Sequence, residues 1–171
     1  NEGSKVGLIG TIANIIGDKA VPADRTTPES PDLQALLAKM VEAGVDTAVM
    51  EVSSHSLFLK RVYGIRFQGA IFTNLSQDHL DFHGDFEHYR DAKALLFAQA
   101  EHSAINADDP VCKDMIAAAA GEVKTYGIKN RANIMAKGVQ LQPEGSRFIM
   151  VNEGTQLPIL LRTPGLFSVY N

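Results

Sequence analysis

The sequence predicts an α/β fold, with a doubly wound, mostly parallel β-sheet over residues 1–130 and a small antiparallel β annex over 131–165. In the first range, short apolar runs alternate with segments whose apolar residues have helical spacing, as in parallel strands joined by helices. In the second range, strand-length runs are separated by Pro-Glu-Gly and Asn-Glu-Gly, which are typical turn sequences. The length of 171 residues and the hydrophobic content of 45% fit one globular domain.

Glycine, proline and the spacing of apolar residues define the predicted elements. An apolar run bounded by glycines predicts a first strand over 6–12, and a stretch rich in Gly, Asp, Pro and Thr predicts a loop over 17–31. Pro31 begins a helix with apolar residues at helical spacing, and Gly44 ends it. The same criteria predict the remaining elements, namely strands 46–52 and 69–75, helix 85–100, strand 103–106, helix 110–120, strand 123–127, and annex strands 134–141, 148–151 and 156–161.

Charge and composition argue against several classes of partner. The formal net charge of −4 argues against a surface built to bind nucleic acid or an anionic membrane. No apolar run approaches the roughly 18 residues that a membrane-spanning helix requires. The single cysteine, Cys112, excludes an internal disulfide and fits a reducing compartment. The first residues lack the pattern of a signal peptide. We therefore expect a cytoplasmic protein.

Polar residues follow the predicted strands at the edge where sheets of this class bind ligands. Glu51 comes at the end of strand 46–52, while Asn74 and His79 follow strand 69–75. A carboxylate at the tip of an apolar strand is costly to bury unless it is paired or bound to a metal. We therefore expect Glu51 and His79 to reach one cation. The alternative is that Glu51 only caps a helix and that His79 is a hydrogen-bonded core residue.

Residue types alone leave the cation and the reaction open. A carboxylate with one or two imidazoles and no thiolate suits zinc, manganese, or magnesium completed by phosphate oxygens. A metal-dependent hydrolase using Glu51, His79 and His83 is therefore an alternative, and so is a non-catalytic metal-binding module. Ser53 and Ser54 precede a histidine, and one of these serines is expected to have a hydrogen-bonding role rather than to act as a nucleophile.

Five stretches of the sequence form a distinctive combination, namely Thr26-Thr27-Pro28, Glu51-Val52-Ser53-Ser54-His55, the run from Thr73 to Gly84, Tyr89-Arg90-Asp91-Ala92-Lys93, and the closing Phe167-Ser168-Val169-Tyr170-Asn171. Together they resemble the Mur ligases, and within that family the enzymes that add the third amino acid of the peptidoglycan precursor. A ligase of the folylpolyglutamate synthetase type is a related alternative.

The resemblance implies that residues 1–171 are most of the central, ATP-binding domain of a three-domain ligase. The family's phosphate loop would lie just before Val6, and the sequence contains no G-x-x-x-x-G-K-[ST] motif. The N-terminal and C-terminal domains would also lie outside these residues, so we expect the chain alone to be inactive. The implied substrates are ATP, the UDP-N-acetylmuramoyl dipeptide, and diaminopimelate or lysine, joined through an acyl phosphate. A monomer is expected.

The resemblance also implies a role for individual residues. Glu51 and His79 would be catalytic Mg²⁺ ligands. Lys93 would take up carbon dioxide as a lysine carbamate and help to hold a second Mg²⁺, whereas without the resemblance it would be a helix lysine with a buried stem. Asn74 would lie on the ATP side. The positions that contact the UDP-sugar peptide would be Thr26, Thr27, Ser53 and Arg61.

Overall fold

The computed structural model of the chain describes residues 3–76 and 80–171, and it has the predicted α/β architecture. The chain divides into two compact units, an N-terminal unit covering Asn1–Ile65 and a C-terminal unit covering Arg66–Asn171. Each unit contains its own β-sheet. No helix in the described ranges is long and apolar enough to cross a membrane.

The N-terminal unit has a four-stranded sheet with the order β3-β2-β1-β4. β1 and β4 are parallel, with Ile9 opposite Met50, whereas β1, β2 and β3 are antiparallel neighbours. Helix α1 is anchored by Leu33 and Met40, which are 0% and 2% exposed. The elements are β1 Val6–Ile9, β2 Ala13–Ile16, β3 Lys19–Pro22, α1 Ser30–Glu42, β4 Thr47–Met50 and α2 Ser54–Phe58.

One sequence prediction for this unit is wrong, and one short helix was not predicted. Residues 17–31 are not all loop, because Gly17 and Asp18 form the turn of a hairpin in which Ile16 pairs with Lys19. Gly17 has a φ of 59°, which glycine adopts without strain. All four residues of β3 are exposed, so this strand lacks the apolar pattern on which the prediction depended. The short helix α2 was also missed, since five residues carry little helical periodicity.

The C-terminal unit has a six-stranded sheet with the order β10-β9-β8-β7-β6-β5. Strands β5 to β8 are parallel, and the meander β8-β9-β10 is antiparallel, as predicted, and continues the same sheet. The elements are β5 Phe67–Phe72, α3 Leu80–His83, α4 Phe86–Ala94, a 3₁₀ turn Phe97–Gln99, β6 Ala100–Asn106, α5 Cys112–Ala118, β7 Glu122–Gly127, β8 Ile134–Gln142, β9 Gly145–Asn152, β10 Thr155–Leu161 and α6 Leu166–Tyr170.

The helix predicted over 85–100 is shorter than expected, because α4 is followed by the 3₁₀ turn and then by β6. Phe97 in that turn is 1% exposed, and its ring meets the ring of Phe72 edge-on with centroids 6.1 Å apart. β6 begins at Ala100, which pairs with Phe67 of β5. Core packing and strand pairing therefore place these residues in a turn and a strand, although their spacing also suits a helix.

The turns of the meander follow the predicted sequence signals. Asn152 pairs with Thr155, so Glu153 and Gly154 form a two-residue turn between β9 and β10. Both have positive φ, 48° for Glu153 and 86° for Gly154, as the tight turns of hairpins require. β10 lies at one edge of the sheet and carries Pro158 opposite Ile149.

One aspartate joins the end of β7 to the last helix. The carboxylate of Asp108 accepts hydrogen bonds from the backbone N–H groups of Ile128, Lys129 and Asn130 at 2.6, 2.9 and 2.6 Å. The Tyr170 hydroxyl of α6 donates to the same carboxylate at 2.9 Å. These bonds fasten α6 to the loop after β6.

These contacts move two pKa values in opposite directions. Burial by itself would raise the pKa of Asp108, but the three backbone N–H donors outweigh it, and the pKa falls below its ordinary value. Burial raises the pKa of Tyr170 to about 12, with further contributions from its hydrogen bond to Asp108 and from the charge of that carboxylate. The pair is therefore an ionised aspartate and a neutral tyrosine at neutral pH.

Candidate active site

Glu51 lies directly after β4 and extends the pairing of the two parallel strands. Its backbone N–H donates to the carbonyl of Ile9 at 2.9 Å. The side chain is exposed and crosses the end of β1, where a Cβ at Gly10 would lie 3.1 Å from the Oε1 atom of Glu51. The glycine after β1 therefore leaves room for the carboxylate.

A hydroxyl from the loop after β1 holds this carboxylate. Thr11 Oγ1 donates to Glu51 Oε2 at 2.7 Å, and the hydroxyls of Thr11 and Thr26 are 3.0 Å apart. Thr11 was not among the residues predicted from the sequence. The available signal was its position in a Gly-Thr pair after an apolar strand, but its partner Glu51 is 40 residues away in the chain.

Thr27 and Ser53 connect the loop after β3 to the end of β4. Thr27 is 1% exposed, and its hydroxyl donates to the carbonyl of Glu51 at 2.9 Å while accepting the backbone N–H of Ser53 at 3.1 Å. Ser53 Oγ accepts the backbone N–H of Ser56 at 3.2 Å and so caps α2. This confirms the hydrogen-bonding role predicted for a serine here.

Arg61 fixes the same loop from the other side. Its Nη1 atom donates to the carbonyl of Thr27 at 3.2 Å, and its Nη2 atom lies 2.7 Å from Glu29 Oε1. The Arg61 side chain is only 10% exposed, whereas Glu29 is half-buried. Glu29 was not predicted from the sequence. The N-terminal unit therefore brings together Glu51 and all the predicted substrate-contact residues, which are Thr26, Thr27, Ser53 and Arg61.

In the C-terminal unit, Lys93 lies in the last turn of α4 and is partly buried. Burial lowers the pKa of its ammonium group below the ordinary lysine value, because the charged form loses hydration. Asn74 follows β5 and is exposed.

Polar side chains at the ends of β6 and β7 hold the segment that follows β5. Asn106 Nδ2 donates to the carbonyl of Thr73 at 2.7 Å, and Asp109 Oδ2 accepts the N–H of Leu75 at 2.9 Å. The Tyr126 hydroxyl donates to the carbonyl of Phe72 at 2.9 Å. None of these three side chains was predicted to have a role, although Asn106 ends a predicted strand and Asp109 follows three residues later.

The two predicted histidines have different outcomes. His79 lies outside the described residues. His83 in α3 is 8% exposed and stacks on Tyr89, with ring centroids 5.2 Å apart and the planes inclined by 28°. Phe82 meets the same imidazole edge-on at 4.9 Å. His83 is therefore a packed core residue of its unit.

The side chains near Glu51 show which kind of metal ion this carboxylate could bind. Among the described residues, no three His, Cys, Asp or Glu side chains lie close enough together to hold a metal ion. Glu51 is an exposed carboxylate whose Oε1 atom is not engaged by Thr11. A single carboxylate oxygen fits Mg²⁺, which keeps water or phosphate oxygens as its other ligands, better than a closed zinc site made of protein side chains.

Comparison with known proteins gives a match over almost the whole chain. A family model described as the Mur ligase middle domain matches residues 2–171. A ligase of Clostridium botulinum named UDP-N-acetylmuramoyl-L-alanyl-D-glutamate–2,6-diaminopimelate ligase is 47% identical over 99% of the chain and 35% of its own length. A ligase of the same name from Caldanaerobacter subterraneus subsp. tengcongensis is 51% identical, over 99% of the chain and 36% of its length. The chain thus spans about a third of the length of these curated relatives.

Solved structures show the same relationship. A structure of UDP-N-acetylmuramoyl-L-alanyl-D-glutamate–2,6-diaminopimelate ligase matches with a TM-score of 0.87 and 28% identity, over 99% of the chain and 36% of that structure. The crystal structure of MurF from Acinetobacter baumannii has a TM-score of 0.71 at 14% identity, over 99% of the chain and 35% of that structure, and shows the shared fold alone. Since the family model and these matches cover nearly every residue, the chain belongs to the Mur ligase family, as a middle domain.

Proposed function

We propose that the protein containing this domain is an ATP-dependent amide ligase that adds diaminopimelate to UDP-N-acetylmuramoyl-L-Ala-D-Glu. The observation that carries the proposal is the identity of 47% and 51% to ligases of that name, extending over nearly the whole chain. Residues 1–171 would be most of its central, ATP-binding domain, and the full-length protein would be a cytoplasmic monomer. The phosphate loop, the nucleotide-sugar domain and the amino-acid domain would be supplied by the rest of that protein.

The proposed reaction forms an amide at the expense of ATP. An oxygen of the D-glutamyl carboxylate attacks the γ-phosphorus, the bond to the β-phosphate oxygen breaks, and ADP leaves. The amine of the amino acid then attacks the acyl carbon, inorganic phosphate leaves, and the nitrogen loses a proton. Negative charge moves between phosphate oxygens in both steps, so fixed donors and cations near those oxygens accelerate the reaction.

Glu51 is the proposed Mg²⁺ ligand of the N-terminal unit, with His79 as the second ligand implied by the family resemblance. When bound, Mg²⁺ would offset the charge on the phosphate oxygens. The support for Glu51 is its exposed carboxylate, the room left by Gly10, and the hydrogen bond from Thr11. The chain's own contribution is to hold that carboxylate at a fixed place beside the end of β1.

Lys93 is the proposed site of a carbamate. The neutral amine would attack carbon dioxide, a bond would form between Nζ and the carbon, and a proton would be released. The lowered pKa supports this role, because it raises the fraction of neutral amine at a given pH. The product is a carboxylate-like group in place of a cation, and it would help to hold a second Mg²⁺.

The loop between β3 and α1 is the proposed binding surface for the sugar peptide. Thr26 is half-buried, and Thr27, Ser53 and Arg61 support the loop by hydrogen bonds. Arg61 retains N–H donors beyond those used by Thr27 and Glu29, so it can also contact a carboxylate or phosphate. Asn74, exposed after β5, would lie on the ATP side.

The relatives favour diaminopimelate over lysine as the added amino acid, and a peptidoglycan ligase over a folylpolyglutamate synthetase. Their printed names specify diaminopimelate. No observation favours a metal-dependent hydrolase, since His83 is packed against Tyr89 and the described residues contain no three-ligand cluster.

The test is an assay of the full-length protein with ATP, UDP-N-acetylmuramoyl-L-Ala-D-Glu and diaminopimelate. We expect phosphate release that depends on all three substrates, a tripeptide product by mass spectrometry, and much slower reaction with lysine. Glu51→Gln should lower the rate by about 100-fold, because it removes the charged ligand of the Mg²⁺ that would stabilise the phosphate oxygens. The same change at the exposed Glu42 of α1 is the matched control. ATP hydrolysis without tripeptide formation would contradict the proposal.

A further inference from the structure

The hydroxyl of Thr11 occupies a position that neither the sequence pattern nor the predicted site explains. It lies beyond the end of β1 and contacts two residues with proposed roles, Glu51 at 2.7 Å and Thr26 at 3.0 Å. The three residues come from three separate segments of the N-terminal unit. A surface threonine with a purely local role would cap a turn or a helix of its own segment instead.

The direction of these hydrogen bonds follows from the chemistry of the groups. An ionised carboxylate can only accept, so the single hydroxyl proton of Thr11 is donated to Glu51 Oε2. Thr11 must then accept from Thr26, which donates its own proton. The result is a directed chain from Thr26 through Thr11 to Glu51, and its last bond is strengthened by the charge of the carboxylate.

This chain of hydrogen bonds restricts the Glu51 side chain, which would otherwise be free to rotate. The Glu51 carboxylate is exposed, and Thr11 is its side-chain hydrogen-bond partner among the described residues. Binding Oε2 to Thr11 holds the carboxylate across the end of β1 and leaves Oε1 on the side where Gly10 provides space. A ligand oxygen that is already oriented loses less side-chain freedom when a cation binds.

We propose that Thr11 is a positioning residue, which orients the Glu51 carboxylate for a divalent cation and links it to Thr26 at the sugar-peptide surface. This inference rests on the proposed function, in which Glu51 is a metal ligand. Thr11 itself touches neither the cation nor the reacting atoms. Its loss should therefore weaken cation binding while leaving the maximal rate at saturating Mg²⁺ less affected.

The experiment compares Thr11→Val, which keeps the branched shape and removes the hydroxyl, with Thr11→Ser, which keeps the hydroxyl. Binding of Mn²⁺ to the full-length protein is titrated by electron paramagnetic resonance with a non-hydrolysable ATP analogue present. We expect about 10-fold weaker Mn²⁺ binding in Thr11→Val, as is typical when the support of a metal ligand is lost. Thr11→Ser should stay within about twofold of the wild type, since its hydroxyl can make the same bond.

Two further readouts separate the possible outcomes. The Mg²⁺ concentration for half-maximal rate should rise in Thr11→Val in parallel with the Mn²⁺ dissociation constant, and an unchanged thermal midpoint shows that the fold is intact. If Thr11→Val fails to fold, Thr26→Val is used instead. It interrupts the chain of hydrogen bonds one residue further from Glu51 and should show a smaller loss of Mn²⁺ affinity.

Glu51→Gln distinguishes failure of this inference from failure of the proposed function. Weak Mn²⁺ binding in Glu51→Gln together with wild-type binding in Thr11→Val would overturn the positioning role alone. Wild-type Mn²⁺ binding in Glu51→Gln would overturn both the positioning role and the metal-ligand role of Glu51. A loss in Thr11→Val that Thr11→Ser does not share would support the inference.

Discussion

At the scale of single residues, Lys93 combines a partly buried position on α4 with a pKa below the ordinary lysine value. Burial disfavours the charged amine, so Lys93 loses its proton at a lower pH than a lysine in water does. A more abundant neutral amine is what a reaction with carbon dioxide requires. Burial of Lys93 therefore accounts for the lowered pKa and also for the neutral amine that the proposed carbamate requires.

Replacing Lys93 by alanine in the full-length protein should lower the rate of phosphate release by about 100-fold, because the group proposed to hold the second Mg²⁺ near the phosphate oxygens is lost. Acetate or propionate should restore part of the activity by occupying the space of the carbamate. Since carbamate formation consumes neutral amine and releases a proton, wild-type activity in carbon dioxide-free buffer should fall as pH decreases, and bicarbonate should restore it. Lys113→Ala, at an exposed position of α5, is the control. Unchanged activity of Lys93→Ala would contradict the carbamate role.

Thr27 shows how a residue in the loop proposed to bind the sugar peptide also supports the fold. Its buried hydroxyl satisfies the carbonyl of Glu51 and the N–H of Ser53 at the same time. Removal of the hydroxyl leaves both backbone groups without this partner. A buried polar group that loses its partner costs about 1–3 kcal/mol.

We therefore expect Thr27→Val to lower the free energy of unfolding by about 1–3 kcal/mol. Thr27→Ser keeps the hydroxyl and should lose much less. Thr47→Val, on exposed β4, makes the same chemical change away from the loop and should stay within about 0.5 kcal/mol of the wild type. Urea unfolding, followed by the circular dichroism of the protein, measures all three. Equal stability of Thr27→Val and Thr47→Val would show that the buried hydroxyl does not stabilise the fold.

At the scale of the elements, α6 is held by the Tyr170 side chain, whose protonation state affects the stability of the fold. The five-residue helix Leu166–Tyr170 has no buried residue of its own, and the Tyr170 hydroxyl fastens it to Asp108. The folded state raises the pKa of Tyr170 from 10.0 to about 12. A neutral tyrosine is therefore favoured in the folded protein over the unfolded chain.

The sign of the pH dependence follows from this shift. The stability that Tyr170 contributes is fully present below pH 10.0 and is lost as pH rises toward about 12, because the unfolded chain releases the proton first. We expect Tyr170→Phe to be less stable than the wild type at pH 8, and the difference between the two to shrink between pH 10 and 12. Thermal midpoints measured across this range test the prediction. Tyr63→Phe, at a side chain that is 78% exposed, is the control. A constant difference between wild type and Tyr170→Phe would contradict the assignment.

At the scale of the whole molecule, local sequence patterns predicted the α/β class, the α1 helix, the parallel strands and the meander. The polar residue at the end of a strand predicted Glu51, whereas the family resemblance implied Thr26, Thr27, Ser53 and Arg61. The structure brings these five together in one unit. Thr11 and Glu29 were missed because their roles depend on contacts across the unit, 40 residues apart in the case of Thr11 and Glu51. The hairpin of β2 and β3 was missed because β3 is exposed throughout and the one buried residue of β2 is the polar Asn14, so neither strand has an apolar alternation. The division of the strands into two sheets has no signal in local sequence.

The position of Pro158 has a consequence for how copies of the chain behave in concentrated solution. β10 ends the six-stranded sheet, and an edge strand offers a row of free N–H and C=O groups to any other strand. Counting from the closing pair Asn152 and Thr155, the alternation of antiparallel bonding places the nitrogen of Pro158 on the side away from β9. Proline has no proton there to donate, so the row is interrupted in its middle. The same residue that leaves the meander intact thus discourages edge-to-edge aggregation.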